Sequence, residues 1–104
     1  MIQRGKMTYQ HSFEDGTSCD FPAGKVVCVG RNYVDHIKEL NNPLPTEPIL
    51  FIKPSTSLQS FSEQIVIPSY SINCHHETEL AVLVGEELYG ADREAAEKSI
   101  VGYG

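Results

Sequence analysis

The sequence predicts an α+β domain assembled from short strands and short helices. Short apolar runs rich in Val and Ile recur along the chain and end at Gly or Pro, which is typical of strands. Two other segments show helical spacing of apolar and polar side chains and are flanked by capping or stopping residues. The chain has 104 residues, which is enough for one small domain with one core.

The predicted strands are short apolar segments with clear endpoints. Gly30, Pro54 and Pro68 each directly follow one of them, and neither residue type continues a strand readily. The last apolar segment carries glycines and begins a further strand. In chain order the predicted strands are Lys25–Val29, Ile49–Lys53, Ile65–Ile67, Glu77–Val84 and the segment Ile100–Gly104.

Two segments are predicted to be helical. The first is Val34–Leu40, for which Asn32 or Asp35 is the expected N-cap. The run Asn41-Asn42-Pro43 is expected to stop this helix, because proline cannot continue it. The second helix is predicted over residues 93–99, with Asp92 as its N-cap.

Composition and charge restrict the classes of partner. Residues 1–24 are polar and interrupted by glycine and proline, so we expect an N-terminal arm or hairpin before a domain over residues 25–104. The net charge is −6, and the eight Lys and Arg residues form no basic stripe, which argues against a nucleic-acid partner. No run is long enough to span a membrane, and no apolar segment follows the N-terminus, so the expected location is the cytoplasm.

Glu77 and Glu79 begin an otherwise apolar segment that is predicted to be a strand. Residues i and i+2 of a strand share a face, which would place the two carboxyl groups about 6–7 Å apart. Like charges at that separation oppose each other, and a hard divalent ion held by oxygen ligands would relieve the repulsion. The alternative is that both side chains line the solvent face of an edge strand.

A second cluster of polar residues follows the first predicted strand. If the segment is helical, His36 and Glu39 share a face, so the carboxylate can orient the imidazole for proton transfer. In the alternative interpretation these side chains and Lys38 are merely solvated. Arg31 could bind a substrate carboxylate, and Lys53 could face either the site or water.

Four stretches of the chain resemble, in order and spacing, the fumarylacetoacetate hydrolase family, and especially its small acylpyruvase and isomerase-like members. The resemblance implies a mixed β-sheet roll with short peripheral helices, of which residues 25–104 would form the N-terminal half. The matching stretches are Val26–Tyr33 with His36 and Glu39, Pro48–Thr56, His75–Val82, and Val101–Gly104.

The resemblance also implies residue roles. Glu77 and Glu79 match two ligands of the family's Mg²⁺ or Mn²⁺, and the third ligand, an aspartate, is expected just beyond Gly104. His36 and Glu39 match a pair on a mobile lid helix that positions and deprotonates water. The positions implied near the substrate are Arg31, Asn32 and Lys53.

The implied activity is metal-dependent cleavage of a carbon–carbon bond in 2-oxo acids, either hydrolysis of acylpyruvates or decarboxylation of oxaloacetate. An isomerase of 2-hydroxy-dienedioates in aromatic-acid catabolism is one alternative. A non-catalytic fragment that lacks the third metal ligand is the other. The resemblance further implies a small-molecule 2-oxo acid as partner and assembly as a homodimer.

Overall fold

A computed structural model describes residues 9–104 of the chain. The chain divides into two compact units, Met1–Gln64 and Ile65–Gly104, and each is described by itself. The part of the predicted N-terminal arm that falls on residues 1–8 lies outside the described residues. The division into an arm and a domain over 25–104 therefore stays a prediction.

The described part of the first unit begins with a tight turn. Ser12 and Ser18 form an antiparallel bridge, and the backbone N–H of Phe13 donates to the carbonyl of Thr17 at 2.8 Å. Gly16 adopts φ +85°, a left-handed conformation that glycine reaches without steric cost, and this closes the turn.

Strands β1 (Val26–Gly30) and β2 (Ile49–Lys53) form an antiparallel pair, which confirms the first two predicted strands. Residues directly opposite each other lie on the same face of such a pair. One face is purely aliphatic and remains exposed in the described chain. Its members are Val27 opposite Ile52 and Val29 opposite Leu50.

Helix α1 (Val34–Glu39) lies between these strands in sequence and confirms the first predicted helix. Its N-cap is Tyr33, which makes no capping hydrogen bond through its side chain, so the expectation of Asn32 or Asp35 was wrong. Asn32 lies outside the helix, and Asp35 lies within its first turn. The helix therefore starts directly after Tyr33, whose backbone is extended, without a side-chain cap from this residue.

Helix α1 ends in a Schellman motif. The N–H of Asn41 donates to the carbonyl of Lys38 at 3.0 Å, and the N–H of Asn42 donates to that of Ile37 at 3.1 Å. Asn41 is left-handed, with φ +55°, as this motif requires at the position after the C-cap. The predicted stop at Asn41-Asn42-Pro43 is thus confirmed.

The third predicted strand, Ile65–Ile67, was wrong. These residues have no regular secondary structure, and all three side chains are exposed. A short β-branched run favours extended backbone, but a strand also needs a neighbour to complete its ladder. In the described chain these residues pair with no neighbouring strand, so their preference for extended backbone did not make them a strand.

The second unit contains strands β3 (Val82–Val84) and β4 (Ile100–Tyr103), which pair antiparallel with an irregularity between Leu83 and Val84. Ala81 and Gly104 exchange two further backbone hydrogen bonds at 2.8 and 3.0 Å. The predicted strand over residues 77–84 is therefore wrong in its first half, because the continuous ladder begins only at Ala81.

Helix α2 (Arg93–Lys98) precedes β4 and confirms the second predicted helix. The Asp92 carboxylate accepts a hydrogen bond from the N–H of Ala95 at 2.8 Å, so the predicted N-cap is also confirmed. Ser99 follows the helix and is buried. Its hydroxyl donates to the carbonyl of Ala96 at 2.6 Å, and its own carbonyl accepts from the N–H of Gly85 at 2.9 Å.

The described residues contain few strands and only short helices. Their buried apolar side chains are Cys19 and Ile37. None of the helices in residues 9–104 is long and apolar enough to cross a membrane. The mixed β-sheet roll implied by the sequence remains a prediction at this level of detail.

Candidate functional site

The first half of the predicted site lies on α1. His36 Nδ1 and Glu39 Oε2 are 3.8 Å apart, one helical turn from each other, as the spacing predicted. This distance exceeds a hydrogen bond but lies within the range of an ion pair when the imidazole is protonated. The side chains are 55% and 77% exposed, so the interaction in this conformation is weak.

Helix α1 places this pair on its open side. Of its six residues only Ile37 is buried, and the others are exposed. Val34 and Ile37 line a cavity of about 290 Å³ beneath the helix, whereas His36 and Glu39 are not among its lining residues. The helix therefore uses one face for attachment and presents the predicted acid–base pair on another.

Arg31 and Asn32 lie at the loop between β1 and α1 and both line this cavity, together with apolar residues. Arg31 is exposed and adopts φ +52°, a left-handed conformation that costs a non-glycine residue roughly 1–2 kcal/mol. Non-glycine residues held in this region often mark functional segments. The apolar lining residues include Val29, Leu44, Pro45 and Pro48.

Lys53 lies at the opposite end of the β1–β2 strand pair. It pairs with Val26 at the start of β1, whereas Ile49 pairs with Gly30, next to Arg31. Four strand steps separate the two ends, which corresponds to about 13 Å of backbone. Arg31 and Asn32 are thus brought together, and Lys53 is not brought to the same end of the sheet.

The second half of the predicted site is the pair Glu77 and Glu79 in the second unit. Both residues are exposed and lie in an irregular segment before the β3–β4 ladder. The strand geometry that would place them on one face therefore does not apply to them. Their role as metal ligands stays a prediction.

The donor chemistry of these glutamates suits a hard divalent cation, since such ions prefer carboxylate oxygens. Two carboxylates supply fewer than the six oxygen ligands that Mg²⁺ prefers. Among residues 9–104, no group of three or more His, Cys, Asp or Glu side chains is arranged to hold a metal ion. The pair fits the ion in type, and further ligands are needed to complete a site.

Comparison with known proteins identifies the family. The family profile described as fumarylacetoacetate (FAA) hydrolase C-terminal matches residues 25–104, most of the chain. The chain belongs to the fumarylacetoacetate hydrolase family. This confirms the resemblance inferred from the four sequence stretches.

Relatives of this chain include enzymes named for oxaloacetate. Oxaloacetate tautomerase YcgM from Escherichia coli (strain K12) is 50% identical over 96 residues, covering 92% of this chain and 44% of the relative. The human mitochondrial oxaloacetate tautomerase FAHD1 is 42% identical over 78 residues, covering 75% of this chain and 35% of the relative. The chain thus spans less than half the length of these relatives.

Solved structures agree with the assignment. A fumarylacetoacetate hydrolase family protein from Yersinia pestis CO92 matches with a TM-score of 0.86 and 46% identity, covering 91% of this chain and 44% of that one. An isomerase/hydrolase of the same family from Oleispira antarctica matches with a TM-score of 0.79 and 46% identity, covering 86% and 40%. The described chain is therefore structurally similar to proteins of this family.

Two residues have structural roles that were not predicted from the sequence. Ile37 is the buried residue of α1, and Asn41 carries the left-handed backbone that ends the helix. A lone apolar residue within an otherwise polar helical turn indicates the first. An asparagine directly after a helix indicates the second, because Asn tolerates the left-handed conformation better than most residues.

Proposed function

We propose that the intact protein carrying this chain is a divalent-metal-dependent enzyme that enolises 2-oxo acids, with keto–enol tautomerisation of oxaloacetate as its reaction. The observation that carries the proposal is the His36–Glu39 pair presented on the open face of α1, within a segment that belongs to this family. The relatives named as oxaloacetate tautomerases support the choice of substrate.

In the proposed mechanism, His36 exchanges the proton. The neutral imidazole takes a proton from C3 of the keto form and returns it to the oxygen on C2, which yields the enol; the reverse path regenerates the ketone. Glu39 faces Nδ1, so its carboxylate stabilises the imidazolium during transfer and leaves Nε2 as the nitrogen that meets the substrate.

Glu77 and Glu79 are proposed to hold the cation, with further ligands from water, substrate or other residues. A bound divalent ion would stabilise the negative charge that develops on the C2 oxygen. Arg31 is proposed to bind a substrate carboxylate, since its guanidinium presents a fork of donors that matches this group. Asn32 lies beside it and is proposed to donate a hydrogen bond from its side-chain amide.

A second candidate is cleavage of a carbon–carbon bond, by hydrolysis of acylpyruvates or decarboxylation of oxaloacetate. The exposed His36–Glu39 pair favours it, because a solvent-accessible base can activate water as well as a carbon acid. Isomerisation of 2-hydroxy-dienedioates needs the same stabilised enolate. These reactions are distinguished by their products, since only cleavage releases pyruvate.

The proposal is tested with the intact protein and enol oxaloacetate. Loss of the enol absorbance is followed with Mg²⁺ or Mn²⁺ and again with excess chelator, while a coupled lactate dehydrogenase assay detects pyruvate. We expect metal-dependent tautomerisation with little pyruvate. Pyruvate formed at the rate of enol loss would favour cleavage, and no turnover of oxaloacetate, acylpyruvates or dienedioates would refute the proposal.

Two variants test the assigned residues. His36→Gln is expected to lower kcat by about 10²–10⁴-fold, the usual contribution of a positioned acid–base group. Lys38→Gln is the matched control, because it changes an exposed residue of the same helix and should leave kcat unchanged. Glu79→Gln should raise the metal concentration needed for half-maximal activity, and added metal should restore the rate.

A further inference from the structure

Helix α1 has one buried side chain among the residues that the structure describes. Ile37 is 3% exposed, and the other five residues of the helix are exposed. It faces a cavity whose apolar lining includes Val29, Leu44, Pro45 and Pro48. His36 lies one residue before Ile37 and Glu39 two residues after it, and both are on the open side of the helix.

The helix is too short to hold its own shape in isolation. It has six residues, far fewer than the roughly 12–15 that an isolated helix needs to be even marginally stable in water. The side chain of its N-cap residue, Tyr33, makes no capping hydrogen bond. Packing of Ile37 and the Schellman hydrogen bonds at its C-terminus therefore help to keep the helix formed.

The backbone marks where the segment begins and ends. Arg31 and Asn41 are the two non-glycine residues with positive φ in the described chain, and they lie on either side of α1. Left-handed residues change the direction of the chain abruptly, so the segment between them is set apart from β1 and from the connector that leads to β2.

We propose that Ile37 is the positioning residue for the His36–Glu39 pair. It seats α1 as a unit between Arg31 and Asn41, and its removal frees the segment and displaces both polar side chains together. The inference rests on the proposed function for its catalytic consequence but not for its structural one. Ile37 carries no group that can transfer a proton, so its proposed role is to anchor the helix that carries the pair.

Hydrogen exchange on the intact protein tests the structural consequence. The amides of Leu40, Asn41 and Asn42 donate to carbonyls of α1, so their exchange rates report opening of the helix. In Ile37→Ala we expect these amides to exchange at least tenfold faster, while the amides of the β1–β2 pair keep their rates. Lys38→Gln is the matched control, because Lys38 lies on the same helix but is exposed and does not line the cavity, and it should change neither set.

Kinetics and metal binding test the catalytic consequence. Ile37→Ala should lower kcat at least tenfold, change KM less than kcat, and leave the dissociation constant for Mg²⁺ unchanged, because the proposed ligands Glu77 and Glu79 lie outside α1 and do not line its cavity. Ile37→Val keeps most of the anchor and should recover most of the rate. A lowered kcat with an unchanged dissociation constant for Mg²⁺ distinguishes a loss of positioning from a general loss of folded protein.

The two arms fail separately. If the parent protein turns over no 2-oxo acid, the proposed function is refuted, while the exchange measurement still decides whether Ile37 seats α1. Equal acceleration of the α1 amides and the β1–β2 amides in Ile37→Ala would overturn the inference. So would an Ile37→Ala variant with freely exchanging α1 amides and unchanged kcat.

Discussion

The C-terminus of α1 offers a sharp test of how the local backbone supports the candidate site. Asn41 adopts φ +55°, and its N–H and that of Asn42 satisfy the carbonyls of Lys38 and Ile37 at 3.0 and 3.1 Å. Both hydrogen bonds come from the backbone. The side chain at position 41 therefore matters through its tolerance of the left-handed conformation and not through a contact of its own.

The perturbations are Asn41→Ala and Asn41→Gly. Alanine pays about 1–2 kcal/mol in the left-handed region, and asparagine somewhat less, so we expect Asn41→Ala to lower the free energy of unfolding by about 1 kcal/mol. Glycine reaches this region without steric cost, so Asn41→Gly should be neutral or slightly stabilising. Asn42→Ala is the control, because Asn42 contributes only its backbone N–H to the motif.

Urea unfolding of the intact protein measures these differences, and hydrogen exchange at the amides of Leu40, Asn41 and Asn42 localises them to α1. We expect Asn41→Gly to be at least as stable as the wild type, and Asn41→Ala to be less stable than both. Asn41→Gly as destabilised as Asn41→Ala would refute the reasoning. That result would mean that the asparagine side chain, and not its backbone conformation, stabilises the end of the helix.

Three further predictions concern other positions. Arg31→Gly should raise the free energy of unfolding by about 1 kcal/mol, because glycine relieves the left-handed strain; the same variant should raise KM for oxaloacetate if Arg31 binds a carboxylate, and an unchanged KM would remove that role. Asp92→Ala should cost about 1 kcal/mol in urea unfolding by deleting the cap on the N–H of Ala95, whereas Asp92→Asn should cost less. The side-chain hydroxyl and the backbone N–H of Thr17 both donate to the Asp15 carboxylate, and they lower its pKa from 3.8, the hydroxyl having the larger effect. Because the folded-state pKa is depressed, this contribution to the stability of the turn is present above pH 3.8 and is lost as the pH falls through the lowered pKa. In Thr17→Ala, an NMR titration should show the pKa of Asp15 moving toward 3.8, and an unaltered pKa would contradict the assignment.

Much of the candidate site was predictable because its determinants are local. The i, i+3 spacing of His36 and Glu39 fixes their proximity as soon as the segment is helical, and the structure places them 3.8 Å apart. The pairing of Glu77 and Glu79 depended on a strand, and a strand depends on a partner elsewhere in the chain. That part of the prediction lost its geometric basis when the β3–β4 ladder proved to begin at Ala81.

The sequence by itself determined the family, strands β1 and β2, both helices and the cap at Asp92. Each of these depends on residue types at short spacing. Tertiary structure decided which apolar runs became strands, and it left Ile65–Ile67 irregular although their residues favour extended backbone. It also buried the side chain of Ile37, a residue of α1, and gave Arg31 its left-handed backbone. Burial and strain of this kind depend on what the rest of the chain places around a residue, and no local pattern encodes that.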